Sequence, residues 1–104
     1  FGRRDDMIIT GGENVWPNVV EKAVATFPGV EQVVVSGIND EQWGQRVVAW
    51  IVSSRDVAPT LESIRQHVKT QLPSFCAPTE LRVVQEIPMT SLGKVDTQKL
   101  RQLK

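Results

Sequence analysis

Apolar residues along this chain alternate between two spacings. Met7-Ile8-Ile9-Thr10 is a short β-prone run, broken by Gly11-Gly12 and resumed at Val15-Trp16, which is the pattern of a β-hairpin. Pro17 presets φ for a helix start. Val19, Val20, Ala23, Val24 and Phe27 then share one face at helical spacing, and Pro28-Gly29 ends the run. Residues 30–38 are valine-rich and predict a strand. Residues 46–53 (RVVAWIVS) are apolar on both faces, which predicts a strand buried in the middle of a sheet. Asn39-Asp40-Glu41 reads as the polar turn between the two.

Thr60 is placed to cap a second helix, whose apolar positions Leu61, Ile64, Val68 and Leu72 fall on one side before Pro73 stops it. Leu81-Arg82-Val83-Val84 predicts a further strand. After Ile87-Pro88 comes a loop, MTSLGKV, and Asp96 can cap a short last helix carrying Leu100 and Leu103. The order predicts an α+β fold: a small mixed sheet of about three strands with an N-terminal β-hairpin, covered by two to three amphipathic helices.

A chain of 104 residues suits one small domain with a modest core. Twelve basic residues balance twelve acidic ones, which argues against nucleic acid or an anionic membrane as partner. No apolar run reaches the length of a membrane span, and the charged opening FGRRDD is unlike a signal peptide. One cysteine, Cys76, cannot form an internal disulfide, so a cytoplasmic location is expected. The chain opens on Phe1 rather than Met, and residues 1–6 read as a hinge or linker from a preceding domain, with residues 7–104 as the domain proper.

Three segments can carry chemistry. Gly11-Gly12 lets the backbone take positive φ or come close to a ligand, and serves equally as a plain hairpin turn. Lys94 follows Gly93 on a loop, where an ammonium can meet a developing oxyanion or a phosphate; most lysines are simply solvated. Trp43 stands in the polar stretch EQWGQR, where it can stack on a purine or lid a core. The residues alone leave these alternatives open. A P-loop is excluded because Val95 follows Lys94 and no glycine stands five residues before Gly93. His67 has no Cys or His at ligand spacing, so no metal site is expected. Cys76 has no nearby His, and no GxSxG elbow exists.

Taken together, GRRDDMIITGGENVWPNVVE, WGQRVVAWIV and IPMTSLGKVDTQKL resemble the C-terminal domain of acyl-CoA ligases in the adenylate-forming superfamily, which also holds nonribosomal-peptide adenylation domains and luciferases. The resemblance spans essentially the whole chain. It implies a large N-terminal domain holding ATP, Mg2+ and the carboxylic acid, and a small mobile lid, the part present here. Asp5 matches the hinge residue about which the lid rotates. Lys94 matches the catalytic lysine of adenylation. Gly11 and Gly12, with the neighbouring Glu13, match the loop lining the pantetheine tunnel for CoA, and Trp43 matches an aromatic near bound CoA in some relatives.

The form TGGENVWPNVVE resembles bacterial CoA ligases for fatty, aryl or o-succinylbenzoate-type acids. Many relatives carry basic residues where this chain has Phe75-Cys76-Ala77-Pro78-Thr79. That puts CoA contacts there in question and leaves Arg46, Arg82 or the preceding domain to meet the nucleotide phosphates. Lysines in this Gly-Lys setting are acetylated in several relatives, which removes the charge. The expected function is therefore the lid of an AMP-forming acid–CoA ligase, with the isolated lid inactive. The alternatives are an adenylation domain serving a carrier protein and a stand-alone binding module of the same fold.

Overall fold

The computed structural model describes residues 7–54 and 56–103. In chain order it contains β1 (Ile8–Thr10), β2 (Glu13–Val15), α1 (Pro17–Ala25), β3 (Val30–Asp40), β4 (Gly44–Ser53), α2 (Leu61–Lys69), one 3₁₀ turn at Ser74–Cys76, β5 (Glu80–Val83) and α3 (Thr97–Gln102). The class is the expected α+β, but the sheet has five strands rather than about three. The difference is the hairpin. It does not stand apart, because β1 pairs with β4 at Thr10↔Gly44 and so extends the sheet to the order β2-β1-β4-β3. β5 lies parallel to β4 over Val48↔Glu80 to Ile51↔Val83, which makes the sheet mixed.

β4 organises the molecule. Val47, Val48, Ala49, Trp50 and Ile51 are all buried, because the strand has a core on each face. Val47, Ala49 and Ile51 point to the layer formed by α1, α2 and the hairpin, with Val20, Val24, Ile64 and Val68. Val48 and Trp50 point to the opposite layer with Ile87 and Leu100. Two-sided burial is what an uninterrupted apolar run requires of a central strand, since alternate side chains go to opposite faces. Each buried valine or isoleucine of the strand gains roughly 1.5–3 kcal/mol from leaving water.

The helix starts follow the sequence. Thr60 and Ser63 exchange hydrogen bonds at the head of α2, Ser63 N donating to Thr60 Oγ1 at 3.1 Å and Thr60 N to Ser63 Oγ at 3.0 Å. Asp96 caps α3 by accepting from Lys99 N at 3.1 Å. The β3–β4 turn falls later than expected. β3 runs through Asn39 and Asp40, and the turn is formed by residues 41–43. The Asp40 carboxylate makes this possible by accepting from Gln42 N at 2.9 Å and Trp43 N at 3.0 Å. The outer edge of β3 is also covered: Val35 N donates to the Glu21 carboxylate at 2.8 Å, and Gly37 O accepts from Arg101 at 3.3 Å.

Candidate functional site

Two places on the molecule hold the expected site residues, and they lie on opposite faces of the sheet. The first is the segment between β5 and α3. Met89 and Val95 form an isolated antiparallel bridge, so the seven residues MTSLGKV are a small hairpin rather than an unsupported loop. Gly93 N donates to Thr90 O at 3.0 Å, closing a tight turn in which Gly93 has φ +80, a value that a side chain disfavours. Lys94 therefore sits at the base of a defined turn, exposed, and pairs with no carboxylate among the described residues. Val95 packs beneath it against the Trp50 and Leu100 core, which anchors the hairpin to the α3 face.

The second place is a groove of about 560 Å³ on the α1/α2 side, walled by Gly11, Glu13, Trp43, Arg46, Lys69 and Phe75 among others. Gly11, one of the lining residues, has φ +55 and donates its N–H to Trp43 O at 2.9 Å. The Trp43 ring lies so near that a Cβ on Gly11 would stand 3.0 Å from Trp43 Cε3. Trp43 is 51% exposed, so it is neither buried nor a lid on the core; its free face borders the groove. Gly12 also has positive φ, but it points to open space and does not line the groove. Asp5 lies outside the described residues.

Beside Phe75 of the segment already singled out, the structure adds two groove cations that the sequence reading passed over, Arg65 and Lys69. Attention to the segment 75–79 found no positive charge, yet α2 delivers two cations to that place. Arg65 and Lys69 are four residues apart and so share a helix face, a signal visible in the sequence. Arg65 donates to Pro78 O at 2.7 Å and to Ala77 O at 3.3 Å, tying α2 to the segment that carries Phe75. With Arg46, which also ion-pairs with Glu80, three cations line the groove against one lining carboxylate, Glu13. Cys76, just behind it, is buried; burial first and the Glu13 charge second push its thiol up, which suits a packed thiol and not a nucleophile.

Arg82 has a different place from the one expected. It ion-pairs with Glu80, donates to Arg101 O and Leu103 O, and lies 5.3 Å over the Trp50 ring. It does not line the Gly11 groove, and these contacts make it a brace between β5 and the end of α3. Glu80 also meets Arg46 Nε at 3.0 Å. Burial would raise the Glu80 carboxyl, but the hydrogen bonds and charges of Arg82 and Arg46 outweigh it and hold the group below its usual value. A carboxyl lowered on folding lends stability that is complete above its unfolded value of about 4.3 and is lost as pH falls through the lower folded value. Glu80→Gln is therefore expected to lower stability by on the order of 1 kcal/mol near neutrality, and by nearly nothing once both proteins are acidified to about pH 2. Urea unfolding of the two at both pH values checks this; an equal gap at both would contradict it.

No cluster of three or more metal-ligating side chains occurs among the described residues, and no helix among them is long and apolar enough to cross a membrane.

The model of the AMP-binding enzyme C-terminal domain matches residues 19–94. The chain is 46% identical over 97 residues to a "Probable 2-succinylbenzoate--CoA ligase" of Mycobacterium tuberculosis, covering 92% of this chain and 25% of that protein. It is 40% identical over 103 residues to a 4-chlorobenzoate–CoA ligase of Pseudomonas, covering 98% of this chain and 20% of the other. Among solved structures, ATP-bound MatB from Rhodopseudomonas palustris superposes with a TM-score of 0.88 at 30% identity, over 97% of this chain and 20% of its own. The chain thus spans a quarter or less of the length of these relatives.

Proposed function

The chain belongs to the family of AMP-binding enzyme C-terminal domains, and on that premise we propose that it is the mobile lid of an AMP-forming acid–CoA ligase. The single observation that carries this reading is the opposition of the two sites. Lys94 stands on the face that bears α3, and the Gly11 groove stands on the face that bears α2. One fixed pose cannot turn both toward a single active centre, so the two serve in turn.

In the first half-reaction a carboxylate oxygen attacks the α-phosphorus of ATP and pyrophosphate leaves, giving acyl-AMP. The attacking and attacked groups are both anionic, and the Lys94 ammonium offsets that charge. ATP, Mg2+ and the acid are held by an N-terminal domain in the remaining length typical of the relatives. The lid then rotates about Asp5, withdrawing Lys94 and bringing the Gly11 groove to the centre. The CoA sulfur attacks the acyl carbon and AMP departs. Gly11 leaves room for the pantetheine arm beside Trp43 and Glu13, while Arg46, Arg65 and Lys69 supply positive charge for the nucleotide phosphates, which the segment 75–79 lacks. Gly12, though it faces open space in this chain, belongs to the same entering turn.

The acid is proposed to be aryl, o-succinylbenzoate-type or fatty, in line with the names of the relatives. Assay of the intact protein with ATP, Mg2+, CoA and a panel of such acids is expected to give acyl-CoA, AMP and pyrophosphate by mass spectrometry. Transfer only to a phosphopantetheinyl carrier protein, or release of ADP in place of AMP, would overturn the assignment.

A further inference from the structure

We infer that Thr90 is a positioning residue for Lys94, a role that rests on the reading of Lys94 above. In a regular antiparallel pair two facing residues exchange both N–H to O bonds. Here only one of the two is made backbone to backbone: Thr90 N donates to Lys94 O at 2.7 Å. The return bond to Thr90 O is not made, and that carbonyl accepts from Gly93 N at 3.0 Å instead. The Thr90 hydroxyl takes its place, accepting from Lys94 N at 3.3 Å. Three hydrogen bonds, all involving Thr90, thus define the backbone from which the lysine side chain departs. The segment is exposed, so water can replace the hydroxyl with little effect on the stability of the fold. What is lost is the fixed direction of the Lys94 Cα–Cβ bond, and small displacements of a charge-stabilising group carry large penalties in rate.

The test uses Thr90→Val, which keeps the β-branched shape and removes the acceptor, and Thr90→Ser, which restores it. Both are made in the intact ligase beside Lys94→Ala. Acid-dependent ATP–pyrophosphate exchange reports adenylation, and release of acyl-CoA from supplied acyl-AMP reports the second step. Thr90→Val is expected to slow adenylation about tenfold, with an unchanged melting temperature and an unchanged second step. Thr90→Ser is expected to recover to within about twofold. Equal slowing of both steps, or failure of Ser to rescue, would show a merely structural residue and overturn the inference. If Lys94→Ala spares adenylation, the reading of the lysine fails. If Lys94→Ala abolishes it while Thr90→Val matches wild type, only the positioning role fails.

Discussion

Lys94→Ala in the intact protein is expected to cut adenylation by about 10²–10³ while leaving thioester formation from supplied acyl-AMP within a few-fold of wild type. The magnitude is that of a removed charge-stabilising donor in a water-excluded site. The asymmetry follows from placement. The lysine hairpin hangs from the Trp50 and Leu100 side of the sheet through Val95 and touches nothing in the Gly11 groove. Its exposure and its lack of a carboxylate partner among the described residues mean that its removal leaves no described buried group unsatisfied, so a fall in stability is not a competing cause. Quenched-flow measurement of the two half-reactions separately checks the result, and parallel loss in both would contradict it.

Gly11→Leu is expected to do the reverse, slowing thioester formation by on the order of 10² and sparing adenylation to within about threefold. Two costs act together. Gly11 has φ +55, where a side chain costs roughly 1–2 kcal/mol. A Cβ would also stand 3.0 Å from the Trp43 ring, and the longer leucine must push that ring outward or fill the groove. Gly12→Ala separates the two, since Gly12 shares the positive φ but faces open space. Steady-state titration with CoA reads the difference: Gly11→Leu should raise the KM for CoA, and Gly12→Ala should change it little. A similar rise in both would assign the effect to backbone strain instead of access.

The sequence made some of this legible for physical reasons. RVVAWIVS is apolar at both odd and even positions, and only a strand with a core on each side satisfies that. Thr60 and Asp96 announced their helices because a cap is a local interaction. What depends on distant pairing was not legible. The hairpin joins the sheet through one residue pair, Thr10↔Gly44, and nothing in residues 7–15 alone encodes it. The turn after β3 was placed too early because Asn39 and Asp40 favour turns, whereas in the fold the Asp40 side chain caps a turn that begins one residue later. Lys94 stood out through the motif around it and not through local chemistry. Of the three groove cations Arg46 was legible, but Arg65 and Lys69 were not, because they reach the segment 75–79 from the preceding helix. The ties of Arg82 to Glu80 and the last carbonyls were not legible because they depend on the tertiary fold.

The central claim is that one lid presents two faces in succession. Pulsed dipolar spectroscopy tests it most directly, with one spin label at the exposed Gln98 of α3, a second on the large domain, and Cys76 replaced by serine. The account predicts two label separations, one enriched by ATP and acid, the other by CoA with a non-hydrolysable acyl-adenylate analogue. A single separation, unchanged by either set of ligands, would contradict it.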